Sequence, residues 1–223
     1  MTETQTFEPE GRAIPYAVEG NGPAVVLIAG QGLNISYLGT LAHSVAEEDF
    51  CMIRVGSRRP SQDAVVTMSD LAQDIIDVMD HLSVENAWVG GHAFGGSVAR
   101  SVAADHHDRV NGVLLMGVES ADQAASSLDF PGIPARMHDP DVVAMQSAAR
   151  EVAGGPVPLA EGLPVLIIQG VDDELTPPAN GEELQISASD RVSVVPVEGG
   201  NHMFPATHIG ATSWAIEDYL DWD

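Results

Sequence analysis

The sequence predicts an α/β fold: a doubly wound, mostly parallel sheet of about seven to eight strands. Three observations predict it. Short apolar runs rich in β-branched residues, such as Ala-Val-Val-Leu-Ile-Ala at 24–29, read as strands buried on both faces. These runs alternate along the chain with helix-period segments, the order that a parallel sheet covered on both faces requires. The stretch 86–105 reads as strand, tight glycine-flanked turn and small-residue helix, with Gly91-His-Ala-Phe-Gly95 as the turn. Glycines are needed there because the flanking strand and helix pass too close for side chains.

Taken in order, residues 12–19 read as an edge strand, because Pro15 has no N–H to give a ladder. Residues 24–29 are a central strand, and Gly30-Gln31-Gly32 leads from it to a helix expected over about 36–48. Residues 51–55 are the next strand, followed by a basic turn, Gly56-Ser-Arg-Arg-Pro60. The clearest amphipathic helix spans 69–82. Leu71, Ile75, Ile76, Val78, Met79 and Leu82 form its apolar face; Asp70, Gln73, Asp74, Asp77 and Asp80 form the polar one. A strand at 87–89 and a helix at 96–104 surround the glycine turn, and strands follow at 110–117, 164–170 and 191–198. Helices are expected near 179–187 and over about 205–220. The Pro/Gly-broken stretch 118–163 holds one expected helix, 141–152, and is too short to fold alone. The organisation is therefore one domain, 1–223, with 118–163 as a reduced cap over the strand ends.

The formal charge is −24, with nine arginines and no lysine. That excess argues against nucleic acid and anionic membrane surfaces and leaves a small molecule as the expected partner. The acids read as a solvated shell. No stretch has the spacing of a zinc site or a calcium loop, so no metal is expected. No segment is long and apolar enough to span a bilayer, and the N-terminus is polar and acidic, unlike a secretory signal. Cys51 is the single cysteine, which excludes an internal disulfide and reads as a core residue. The expected location is the cytoplasm.

In doubly wound sheets, ligands bind where the strands end. Gly30-Gln31 follows the first central strand, and Ala93-Phe94 follows the strand at 87–89. Gly170-Val-Asp-Asp173-Glu-Leu-Thr-Pro177 and Gly199-Gly-Asn-His202 follow the last two strands. A turn position for a nucleophile, then an acid loop, then a histidine loop suits nucleophilic or general-base chemistry. A dinucleotide reading of Gly30-Gln-Gly32 fails: the third glycine is missing, and Arg54-Val55-Gly56 stands where an acid should end the next strand. No cofactor is expected.

Along about residues 10–221 the chain resembles the α/β-hydrolase-fold superfamily, in a small-cap bacterial form with alanine at the nucleophile elbow. Gly91-His-Ala-Phe-Gly-Gly96 resembles the family's G-H-S-x-G-G. Gly170 to Pro177 resembles its acid loop, and Gly200-Asn-His202 its histidine loop. The resemblance implies Asp173 as triad acid and His202 as base. It implies the backbone N–H groups of Gln31 and Phe94 as the oxyanion hole, Ala93 at the nucleophile position, and Gly30, His92 and Glu119 as pocket candidates. Three departures stand out: Ala93 itself, Ala29 where a His-Gly dipeptide is usual, and Gly56 and Arg59 where Asp and Gly are usual. The last two bear on the pocket wall.

Each candidate has a rival. Asp172 neighbours Asp173 and can serve as a turn former, and Glu119 occupies the alternative acid position. His92 can simply pack beside the elbow, and Ser97, one turn beyond Ala93, reads as packing rather than as a substitute nucleophile. His106 and His107 suit a helix C-terminus, and His208 reads as exposed. The expected function is an enzyme, a hydrolase acting on a small or medium ester, lactone or carbonyl compound through His202 and Asp173. Ala93 leaves two routes open: a serine hydrolase whose nucleophile has been replaced, or a nucleophile-free enzyme that activates water or abstracts a proton. A non-catalytic ligand-binding or sensor protein on the same fold is the alternative.

Overall fold

The apolar runs pair as their two-sided hydrophobicity demands. The computed structural model describes residues 2–60, 65–120, 130 and 133–221. In chain order the strands are β1 (Gln5–Phe7), β2 (Ile14–Glu19), β3 (Ala24–Ile28), β4 (Cys51–Val55), β5 (Ala87–His92), β6 (Val110–Met116), β7 (Val165–Gly170) and β8 (Val192–Val197). They form one sheet in the order β1-β2-β4-β3-β5-β6-β7-β8, parallel from β4 to β8 and antiparallel where β1 and β2 join. The helices are α1 (Gly39–Ala46), α2 (Met68–His81), α3 (Phe94–Asp105), α4 (Val143–Ala153), α5 (Pro178–Ser187), α6 (Phe204–Thr207) and α7 (Ile209–Leu220).

The period of two explains the layering. In β3, Val26 and Ile28 pack with residues of α2 and α3 in one apolar layer, while Val25 and Leu27 pack with residues of α1 and α7 in the other. The chain runs from β3 to β4 on one side, then crosses to place β5 on the other side of β3. Strand order thus reverses at β3 and β5, and the loops after them open a crevice at the carboxyl ends of the strands.

The amphipathic helix α2 starts at a capping box. Thr67 Oγ1 accepts from the Asp70 N–H (3.1 Å), and Asp70 Oδ2 accepts from the Thr67 N–H (2.8 Å). Such a cap contributes about 1 kcal/mol.

Several expectations need correction. Residues 12–19 are not an edge strand. β1 pairs outside β2, with Thr6 opposite Pro15. Pro15 is tolerated because its outer partner is only three residues long, pairing with β4 begins at Tyr16, and Pro15 supplies only its carbonyl, to the Gly56 N–H (2.9 Å). The helix expected over 36–48 starts as a 3-10 turn, Ile35–Leu38, capped by Asn34, before α1 begins. The closing helix is broken at His208 (φ −119°, ψ 50°) into α6 and α7. Thr207 Oγ1 donates back to the Met203 carbonyl (3.1 Å) and helps end the first of them. His208 is half-buried rather than exposed, and Cys51, half-buried, packs against the apolar layer that holds Val26 and Ile28.

The acids are not all a solvated shell. Asp74, on the nominally polar face of α2, is buried and takes Arg58 Nε (2.5 Å) and Arg12 NH1 (2.8 Å). Burial pushes its carboxyl above the usual range, against the pull of the two guanidinium groups. Arg58 and Arg59 do not line the cleft described below: Arg58 is spent on Asp74, and Arg59 NH1 reaches Asp139 (2.7 Å).

The segment between β6 and β7 lies partly outside the described residues, including 121–129 and 131–132 of the stretch expected as a cap. Its described part is tied to the strand ends. Leu33 bridges His138, the Asp139 N–H donates to the Gly32 carbonyl (2.7 Å), and the Gly32 N–H donates to Gln146 Oε1 (2.9 Å). Among the described residues no helix is long and apolar enough to cross a membrane.

Candidate active site

The turn after β5 holds Ala93 at φ 49°, ψ −108°, a backbone region that costs an L-residue about 1–3 kcal/mol. The surroundings impose it. The Ala93 N–H donates to the Met116 carbonyl of β6 (2.9 Å), and Ser97 N–H of α3 donates to the Ala93 carbonyl (3.1 Å). A Cβ on Gly91 would overlap the Gly95 carbonyl carbon, and one on Gly95 would overlap the Ile28 carbonyl oxygen. Only glycines let α3 start so close to β3 and β5.

Ala93 lines an open cleft of about 350 Å³ with Gly30, Gln31, His92, Glu119 and His202; Leu33, Phe130, Leu175 and Thr176 complete the wall. His202 Nδ1 lies 3.1 Å from Asp173 Oδ2 and 3.2 Å from Oδ1. Asp173 is buried, whereas Asp172 is exposed. Asp173 Oδ1 also accepts the Leu175 and Thr176 N–H groups (2.9 Å each), and Oδ2 accepts the Thr176 hydroxyl (2.5 Å). Burial acts to raise the carboxyl, but the hydrogen bonds from His202 and Thr176 outweigh it and hold Asp173 below the usual carboxylate range. An ionised Asp173 on Nδ1–H leaves the lone pair of His202 on Nε2.

Among the described residues the N–H groups of Gln31 and Phe94 donate to no acceptor. They follow β3 and β5, the positions where the sequence placed a pair of oxyanion donors.

His92 is fully buried and sits beneath the histidine loop. Its Nε2 lies 2.8 Å from the His202 carbonyl, and its Nδ1 lies 3.1 Å from Tyr37 Oη, which accepts the Gly30 N–H (2.9 Å). A carbonyl only accepts, so the proton is on Nε2, and Nδ1 accepts the Tyr37 hydroxyl. Burial, helped by repulsion from His202, pushes the His92 pKa down to about 3, so the ring is neutral. This neutral ring bridges the loops that carry Gly30 and His202.

The family comparison follows this geometry. A family model described as alpha/beta hydrolase fold matches residues 55–139. A thermophilic esterase from Thermogutta terrifontis superposes with a TM-score of 0.80 at 18% identity, over 98% of both chains. The chain has the α/β-hydrolase fold. Esterase YbfF of Escherichia coli is 27% identical over 105 residues, 46% of this chain and 41% of that protein. The 2-hydroxymuconate semialdehyde hydrolase of a Pseudomonas species is 32% identical over 101 residues, 45% of this chain and 34% of that protein. The chain spans less than half the length of the curated relatives it matches.

This chain of α/β-hydrolase fold has residues around the cleft that sequence reasoning missed. Arg150 of α4 donates to Gln31 Oε1 (2.7 Å) and Glu119 Oε1 (2.5 Å), and its guanidinium carbon lies 5.1 Å from the Phe94 ring centroid. It thereby grips the loops after β3, β5 and β6 together. Ser97 does not face the cleft as a nucleophile; its hydroxyl is buried against Glu119 Oε2 (2.8 Å). Glu119 is thus engaged on both oxygens and does not contact His202. Thr176 and Tyr37 were also missed, as was Phe130, whose ring stacks on His202 at 5.7 Å between centroids. Thr176 carried a usable signal: a hydroxyl three residues after an acid can close a turn on it.

Proposed function

We propose that this chain is a hydrolase that activates water by general-base catalysis and forms no covalent intermediate. Its substrates are small or medium esters, lactones or related activated carbonyl compounds. The observation that carries the reading is the buried Asp173–His202 pair opening on a cleft whose elbow bears a methyl group in place of a nucleophile. The substrate carbonyl lies over Ala93 with its oxygen toward the Gln31 and Phe94 N–H groups. A water takes the space of the missing side-chain oxygen. His202 Nε2 accepts its proton as the water oxygen bonds to the carbonyl carbon, and the carbonyl electron pair moves onto oxygen. Collapse of that intermediate expels the leaving group, which takes the proton from His202. Asp173 holds the ring and balances the imidazolium charge.

Magnitudes limit the substrate. One oxyanion donor is worth roughly 10²–10³ in rate, and a positioned base roughly 10²–10⁴. Those factors suffice for activated esters and lactones and fall short for amides, because water attack forgoes the division of one hard step into two. The segment between β6 and β7 serves as the cap of the cleft. The charge of −24 and the single cysteine support a cytoplasmic protein whose partner is a small molecule.

Turnover of a lactone and activated-ester panel tests the reading, with mass spectrometry of the enzyme during turnover. His202→Ala should cost roughly 10²–10⁴ in kcat/KM, and the enzyme should stay unmodified. An acyl adduct, full activity in His202→Ala, or tight ligand binding with no product at all overturns it.

A further inference from the structure

A second opening lies on the other side of Glu119 from the catalytic cleft. It is an open pocket of about 570 Å³ between α3, the loop after β6 and α5, lined by Arg100, Glu119, Ser120, Asn180, Glu183 and Leu184 among others. Arg100 belongs to α3 and is only 8% exposed. Its Nε is buried without an acceptor, and among the described residues its guanidinium has no hydrogen bond and no ion pair. Buried charges are ordinarily paired, since an unpaired one loses its hydration without compensation. In a chain with 33 acidic residues, an arginine left in this state is conspicuous.

The acid that acts on it electrostatically is engaged elsewhere. Glu119 gives one oxygen to Arg150 and the other to Ser97. It only partly offsets the burial that depresses the Arg100 pKa to about 10. Among the described residues no acid pairs with Arg100, and the pocket in front of the guanidinium has room for a counter-ion.

We infer that this pocket is an anion site, separate from the catalytic cleft, that binds a small organic carboxylate on Arg100. The planar guanidinium matches a carboxylate in a two-pronged contact. Leu184 and Val118 offer apolar wall to a short hydrocarbon body. Glu183, exposed at the rim, disfavours a second negative charge and so selects a monoanion over phosphate. The net charge repels anions generally, so a carboxylate that binds here does so through this local fit. The inference does not depend on the catalytic reading above.

Calorimetric titration of the full chain with butyrate at constant ionic strength tests it, with butyramide and inorganic phosphate as comparators. Butyrate should bind, butyramide and phosphate should bind at least about tenfold more weakly, and Arg100→Gln should weaken butyrate by about tenfold or more. Arg100→Lys keeps the charge without the planar fork and should fall between. His202→Ala should leave the affinity unchanged, because the carboxylate sits outside the catalytic cleft. If Arg100→Gln fails to fold, the lysine variant and the comparators still decide. Absence of butyrate binding up to about 50 mM, where millimolar affinity saturates, overturns the inference. So does equal binding of butyramide, preference for phosphate, unchanged affinity in the Arg100 variants, or loss of binding in His202→Ala.

Discussion

Acidification should unfold this protein in a way that His92→Gln relieves. His92 is fully buried and neutral, donating to the His202 carbonyl and accepting from Tyr37. Its pKa falls from 6.5 to about 3, with burial the largest cause. The unfolded chain therefore binds a proton that the folded chain refuses between those values, and stability rises with pH across that window. The contribution is fully present above pH 6.5 and is lost as pH falls toward 3. At pH 5 the unfolded histidine is almost fully protonated and the folded one is not, which costs about 2 kcal/mol relative to pH 7.5; the limiting loss at lower pH is about 5 kcal/mol. Glutamine presents a donor and an acceptor but does not titrate. Urea unfolding at pH 7.5 and pH 5.0 reads the difference. Asp173, held below the usual carboxylate range, also loses its contribution on acidification, but it does so in both chains and cancels. Equal pH dependence in the parent chain and the glutamine variant would refute the buried, neutral assignment of His92.

Three further outcomes are expected. Ala93→Ser should fold normally, since the glycine turn is in place, and should label covalently with a fluorophosphonate; intact-mass spectrometry showing no adduct at any pH would mean that the dyad and the oxyanion donors do not act on position 93. Asp74→Ala should lower stability by about 2–3 kcal/mol in urea, less than a fully buried pair because Arg12 and Arg58 keep some solvent; a loss below about 0.5 kcal/mol would place that cluster with ordinary surface pairs. The melting temperature should rise from low salt to about 0.5 M, because screening over ~10 Å or less relieves the repulsion of a −24 chain; a flat curve would count against self-repulsion.

The sheet was legible because its signal is local and redundant. Residues 24–29 are apolar at every position, which only a strand covered on both faces needs, and β3 lies there. The edge was not legible: Gln5-Thr6-Phe7 is three residues of mixed polarity, and pairing with β2 decides it. The positions of Ala93, Asp173 and His202 could be read because each sits in a glycine-marked loop directly after a strand. Arg150 could not. It belongs to a helix in the inserted segment, and its contacts with Gln31, Phe94 and Glu119 exist only after the chain has folded back over the strand ends. Asp74 shows the same limit. Helical period assigns it to the polar face, and only the approach of Arg12 and Arg58 from outside the helix buries it.

The grip of Arg150 has a consequence for admission. Helix α4 stands beside the cleft, and its one arginine holds the Gln31 side chain and the Phe94 ring, whose N–H groups are the proposed oxyanion donors. A guest too bulky for the cleft that displaced α4 would pull away the brace that keeps both proposed donors aligned. Entry and competence are then set against each other. A compound that fits the cleft as it stands meets an intact machine, whereas one that displaces α4 arrives at a machine already taken apart. Selection by size would in that case operate through rate more than through affinity, with oversized compounds bound yet left unconverted.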